Sequence, residues 1–122
     1  MLTDINQIGC LAEYKFFAIC MELGLQVSKP ILDASVYDCI IDNGKRLIKV
    51  QVKSRSISDR GDKNDMIQWG NNRYKPTDFE YYAIYLHQTG DWLIMPNTGQ
   101  ISMRLNKANT EKFNNFALLF SA

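Results

Sequence analysis

The chain has one histidine, three cysteines and three prolines in 122 residues, and each shortage excludes a class of function. Zinc sites built from His and Cys, histidine metal clusters and His-centred endonuclease motifs all need more imidazole than His87 alone supplies. A Ser-His-Asp triad would have to use His87, which falls at an expected hairpin turn. Cys10, Cys20 and Cys39 are odd in number and contain no C-x-x-C. Neither a disulfide framework nor a zinc knuckle is signalled, and the three read as small buried apolar side chains. No apolar run approaches the ~18 residues of a membrane span, and Met1-Leu2-Thr3-Asp4 lacks the basic and then apolar pattern of a signal peptide. Neither G-x-x-x-x-G-K-S/T nor G-x-G-x-x-G occurs, so no phosphate-cradling loop is signalled. The expectation is a cytoplasmic protein with no membrane partner.

What is present is ordinary globular usage, 46% hydrophobic and 22% charged, which argues against a disordered tail. The length suits a single domain spanning residues 1–122, with one core and no second. Net charge is only +1, but its distribution is uneven. Residues 1–44 carry six acids (Asp4, Glu13, Glu22, Asp33, Asp38, Asp42) against Lys15 and Lys29, a balance of −4. Residues 45–63 carry seven bases (Lys45, Arg46, Lys49, Lys53, Arg55, Arg60, Lys63) against Asp59 and Asp62, a balance of +5. A basic block beside an acidic one is often only a solvated face. It also suits a protein whose carboxylates hold a cation while nearby cations hold phosphate.

Along the chain, Asp4 with Gln7 makes a capping-box signature before a helix from about Asn6 to Leu23, which Gly24 stops. Ile8, Ala12, Phe16, Ile19 and Leu23 form its apolar stripe, with Glu13 on the flank shared with Gly9 and Cys20. Leu25-Gln26-Val27-Ser28 begins a short edge strand broken by Pro30. Val36 to Ile41 and Arg46 to Arg55 read as two strands joined at Asp42-Asn43-Gly44, a strong hairpin signal. In the second strand Ile48, Val50 and Val52 alternate with Leu47, Lys49, Gln51, Lys53 and Arg55. Ser54 to Thr77 reads as a long polar loop around the isolated Met66-Ile67-Gln68-Trp69. Tyr81 to Leu86 and Trp92 to Met95 make a second hairpin, and Ile101 to Leu105 a short strand. Asn109 caps a last helix reaching about Phe120, with Phe113, Phe116, Ala117 and Phe120 on one face. Helix, strands, strands, helix is α+β or α/β.

Strand alternation then brings chemistry together. Asp38 lies thirteen residues before Gln51 across the hairpin, so the two can meet near its end, with Lys53 on the same face as Gln51. An acid in an otherwise apolar strand is costly unless it is paired or binds a metal. Asp38 and Gln51 offer the hard oxygen ligands that Mg²⁺ prefers. Lys53 can stabilise charge developing on a phosphorane, or help orient and deprotonate a water on the metal. Glu13 adds a second carboxylate from the helix. Asp33 and Asp42 sit at turns and read as turn residues. Without Asp38, Gln51 and Lys53 would be an ordinary polar strand face.

On Glu13, Ser35-Val36-Tyr37-Asp38 and Gln51-Val52-Lys53 the chain resembles the PD-(D/E)xK nuclease superfamily. It is most similar to the Q-x-K branch, which includes a group I intron homing endonuclease and small phage and bacterial endonuclease domains. The likeness runs on through Asp78-Phe79-Glu80-Tyr81-Tyr82-Ala83-Ile84-Tyr85 and Trp92-Leu93-Ile94-Met95-Pro96, from about residue 5 to 105. Gly9-x-x-x-Glu13 and the small size are also similar to archaeal-type Holliday junction resolvases. The resemblance implies a restriction-endonuclease-like mixed central β-sheet flanked by helices, a Mg²⁺ site where Mn²⁺ substitutes, and hydrolysis of DNA phosphodiesters. It also implies that the Val52 carbonyl ligates the metal alongside Asp38, Gln51 and Glu13. Two departures stand out: Tyr37 replaces the proline, and Gln51 replaces the usual acid. The second removes a negative charge, so Mg²⁺ is held more weakly unless Glu13 contributes.

Lys49, Arg55, Arg60, Lys63, Arg73 and Lys75 are candidates for positioning DNA phosphates, and each is equally readable as solvated surface. Tyr74 and Trp69 are candidates for stacking on unpaired or distorted bases, whereas Tyr81, Tyr82, Tyr85 and Trp92 read as packing. One site cuts one strand, so symmetric cleavage of branched or duplex DNA calls for a homodimer or higher homo-oligomer. Phe116-Ala117-Leu118-Leu119-Phe120 is the candidate interface, unless it is simply a core helix. The leading expectation is a structure-selective Holliday junction resolvase on branched DNA, because the chain shows no appended recognition domain and a dimeric basic surface suffices. A sequence-specific homing or restriction-type endonuclease follows. A non-catalytic DNA-binding module with a nuclease fold is the second class, motivated by Gln51, and a purely structural protein the third.

Overall fold

The structure is a computed structural model and describes residues 4–32, 34–56, 66–68, 74–105 and 107–121. Its elements in chain order are α1 (Ile5–Glu22), β1 (Gln26–Ser28), β2 (Cys39–Asp42), β3 (Leu47–Arg55), β4 (Met66–Gln68), β5 (Tyr81–Leu86), β6 (Asp91–Pro96), β7 (Ser102–Arg104), α2 (Lys107–Thr110) and α3 (Leu118–Ser121). The Asp4 carboxylate caps α1, accepting from the Asn6 and Gln7 amides at 2.8 and 3.1 Å. At the other end Gly24, at φ +89°, takes the left-handed conformation that closes a Schellman turn. The Leu25 amide reaches the Cys20 carbonyl and the Gly24 amide the Met21 carbonyl. Leu25 therefore turns inward and is buried, while Leu23, expected in the apolar stripe, is 44% exposed. The buried face runs through Ala12, Phe16, Phe17 and Cys20, which brings the Glu13 flank closer to the sheet.

Five strands form one mixed sheet in the order β1-β2-β3-β5-β6. Only β3 and β5 are parallel; the other neighbours are antiparallel. The segment Met66–Gln68 does not stay isolated: as β4 it pairs with β7 in a separate two-stranded sheet. The large sheet divides the interior into two layers rather than one core. Phe16, Cys20, Cys39, Val50, Val52, Ala83, Trp92 and Ile94 pack on the α1 side, and Phe79, Tyr82, Ile84, Leu93 and Met95 pack with Ile67 on the other. Tyr82 and Trp92 are buried packing residues, and Tyr81 and Tyr85 pack against the α1-side layer.

Two expected elements differ. β2 begins at Cys39, so Val36 to Asp38 is a bend leading into the strand. The C-terminal helix from Asn109 to Phe120 does not form; single turns at α2 and α3 flank a β-bridge between Phe113 and Leu93. The cause is the free edge of β6, whose backbone groups need partners. Asn114, at φ +60°, accepts the Trp92 amide on Oδ1 at 2.9 Å and donates its own amide to the Trp92 carbonyl. Of the run expected as an interface, Leu119 is fully buried and the Phe116 ring stacks on Phe16. That run serves the core, and only Ala117 and Phe120 face outward.

Asn97 ties the loops below the sheet. It is buried; its Nδ2 donates to the Lys75 and Phe79 carbonyls at 2.9 and 3.2 Å, and its Oδ1 accepts the Gly99 amide at 3.1 Å. Asn97→Ala strands buried acceptors and is expected to lower unfolding free energy by about 2–3 kcal/mol, read by urea denaturation. The cysteines separate by environment: Cys20 and Cys39 are buried, and Cys10 is exposed, contrary to the expectation for all three. Burial pushes the Cys20 thiol up to about 12 and raises that of Cys39 as well. A disulfide reagent is expected to label one thiol per folded chain rapidly, and a Cys10→Ser variant to lose that fast phase.

Candidate active site

β2 pairs with β3 through Cys39↔Val50 and stops there, so the next position, Asp38, stands opposite Gln51. Beyond Val50 the β2 side of β3 is open, and Asp38 fills the gap with its side chain. Its amide still donates to the Val50 carbonyl at 2.9 Å. Its carboxylate then takes over the backbone's role, with Oδ2 accepting the Val52 amide at 2.7 Å. The carboxylate is thereby fixed at the fork where the strands part. Burial raises the Asp38 pKa; the Val52 amide, Lys53 and Lys29 oppose that rise without cancelling it. A carboxylate whose pKa is raised by burial, with cations beside it in a cleft, is a candidate functional group.

Gln51 and Lys53 are each 9% exposed and lie beside Tyr82 and Ile84 of β5. The Lys53 ammonium sits 4.9 Å from the Tyr74 ring centroid, a desolvated cation–π contact. Gln51 Oε1 is buried and has no hydrogen-bond partner among the described residues. An orphaned amide oxygen one strand position from a carboxylate suits a hard cation. Glu13 is half-buried and borders two cavities. One, of about 400 Å³, is lined by Glu13, Val52 and Lys53 together with the end of β3. The other, of about 220 Å³, is lined by Glu13, Lys29, Tyr37 and Asp38. Glu13 thus links the Lys53 and Asp38 sides, while Gln51 lines neither cavity. Among the described residues no three His, Cys, Asp or Glu side chains group as a metal site; the candidate oxygen donors are two acids and an amide.

The expected phosphate contacts divide. Lys49 is half-buried, its ammonium 5.8 Å from the Tyr37 ring, and its backbone is bracketed by Glu80. Arg55 clamps strands together, Nε donating to the Gln68 carbonyl at 3.0 Å and Nη1 to the Ser54 carbonyl at 2.7 Å, and it also lines the larger cavity. Lys75 is exposed at a turn. Arg60, Lys63, Arg73, Trp69 and Asp33 lie outside the described residues. Tyr74 contacts Lys53 and meets Phe79 edge-on, half-buried. Sequence reasoning left out Lys29, which follows an edge strand in no recognisable pattern yet borders Asp38.

A family model described as PD-(D/E)XK endonuclease matches residues 3–118. The chain belongs to that family. Among solved structures a bacterial homing endonuclease, I-Ssp6803I, is similar with a TM-score of 0.80 over 98% of this chain and 95% of that chain, at 20% sequence identity. That likeness establishes a shared fold, and the expected mixed central sheet with helices is present, here with five strands. No curated protein matches the sequence. Among the described residues of this PD-(D/E)XK chain, no helix is long and apolar enough to cross a membrane.

Proposed function

We propose that the chain is a Mg²⁺-dependent DNA endonuclease in which Asp38, Gln51, Glu13 and the Val52 carbonyl hold the ion and Lys53 serves the reacting phosphate. The observation that carries this is the Asp38 carboxylate fixed on the Val52 amide opposite the orphaned Gln51 oxygen. A bound divalent ion would supply Lewis-acid polarisation of the phosphate and acidify water. The chain's own residues do the rest. Asp38 is oriented by a backbone amide. Lys53, held over Tyr74 and shielded from solvent, presents fixed positive charge where negative charge builds on the phosphoryl oxygens. Glu13 restores negative charge that Gln51 does not provide.

For substrate, the full-length likeness to a homing endonuclease supports cleavage of linear duplex DNA at a chosen site over junction resolution. The test is a pooled random-sequence duplex library and a four-way junction, each incubated with Mg²⁺, with Mn²⁺ and with chelator. Recovery of a cut duplex motif in metal supports the homing-type reading. Paired symmetric nicks confined to the junction would assign resolution instead. Absence of cleavage by wild type in every metal would refute the endonuclease.

A further inference from the structure

The parallel pair β3 and β5 ends in register, Arg55 opposite Leu86, so the next residues, Ser56 and His87, leave the sheet side by side. They are 31 residues apart in sequence, both exposed, and share a hydrogen bond of 2.9 Å between Ser56 Oγ and His87 Nε2. Both line the cavity of about 400 Å³ that Lys53 and Glu13 also border. In open sheets, ligands bind outside the carboxyl ends of parallel strands. Here that end carries Lys53, Arg55, two serines and an imidazole against the single carboxylate of Glu13. Ser54 Oγ, in the same wall, is buried and finds no hydrogen-bond partner among the described residues. The balance of cations and hydrogen-bond donors suits an anion.

We infer that Ser56 and His87 form a second phosphate subsite, which grips the phosphodiester next to the one at Lys53 on the same DNA strand. This rests on the endonuclease reading above. Ser56 lies three residues beyond Lys53, about 10 Å along an extended strand, which is too far for the reacting phosphate and suited to a flanking one. Ser56 and His87 are therefore positioning residues. A hydroxyl and an imidazole adjust their donor and acceptor roles to each other and to phosphate oxygens. Their contribution falls on DNA affinity and not on the chemical step.

The test uses Ser56→Ala, His87→Ala, the double variant and His87→Gln. DNA affinity is read by fluorescence anisotropy on a labelled mixed-sequence duplex in chelator. Single-turnover cleavage is read at saturating concentration of the duplex recovered from the library. Each alanine variant is expected to weaken binding about tenfold. The double variant should lose less than the product of the two, because the residues act as a pair. His87→Gln should keep most of the affinity, and the saturated cleavage rate should not change. Wild-type affinity in both single variants would overturn the subsite, as would a slowed saturated rate with affinity intact. If wild type binds DNA and the variants lose binding as expected, yet nothing is cleaved, the subsite stands and the endonuclease reading fails. If wild type binds no DNA, both fail.

Discussion

Lys53→Ala is expected to slow single-turnover DNA cleavage by about 10²–10⁴-fold while leaving DNA binding within a few-fold of wild type. The magnitude follows from where the ammonium sits. It is 9% exposed and lies over the Tyr74 ring, close enough to Asp38 to favour that group's ionised form. A charge already stripped of water needs no reorganisation when negative charge develops beside it, so its removal is felt in the transition state more than in the ground state. Lys53→Arg is not expected to rescue, because a guanidinium spreads over a longer planar group the charge that the ammonium concentrates at one point, and it does not give up a proton. The measurement is the cleavage rate at saturating DNA beside the anisotropy-derived affinity. A variant that cuts at the wild-type rate would remove Lys53 from the chemistry.

Asp38→Asn is expected to abolish cleavage, by about 10³-fold or more, and at the same time to raise the melting temperature in chelator at neutral pH. The two effects share one cause. Burial holds the folded-state pKa of Asp38 above its ordinary value, with the Val52 amide, Lys53 and Lys29 offsetting only part of the rise. For a carboxyl whose folded pKa is raised, the protonated form is the stable one. Its contribution to native stability is therefore full below the ordinary carboxylate range and is lost as pH rises through the folded value. Asparagine does not titrate and keeps an oxygen for the Val52 amide. The melting-temperature gap between variant and wild type should thus open as pH climbs out of the ordinary carboxylate range and level off above the folded pKa. Adding Mg²⁺ should narrow the gap by stabilising wild type alone, as a ligand that binds only the folded state must. A variant less stable than wild type at every pH in chelator would show that Asp38 is held for structural reasons.

Features governed by neighbours along the chain were readable before any coordinates. Asp4 and Gly24 bounded α1 to within a residue or two, and Asn43-Gly44 placed the hairpin. The thirteen-residue separation of Asp38 and Gln51 predicted the register that Cys39↔Val50 produces. The pairing of Gln51 with Lys53 needed only the two-residue period of a strand. These are short-range matters of capping, turn chemistry and alternation, and each involves a few consecutive residues.

Other features depended on which backbone groups remained unpaired after distant segments had met. β2 begins one position after Asp38, which is why a carboxylate and not a carbonyl receives the Val52 amide. The helical spacing of Phe113, Phe116 and Phe120 lost to the exposed edge of β6, which drew Asn114 into a bridge. The β4–β7 ribbon, Lys29 beside Asp38 and Ser56 against His87 join residues that share no local pattern. Hydrophobic period and turn signals were enough for α1, for the β2–β3 and β5–β6 hairpins, and for the shared face of Gln51 and Lys53. The open fork beside β3 and the shared end of its parallel partner arose only on assembly, because backbone hydrogen bonds are satisfied across the whole sheet at once and not strand by strand.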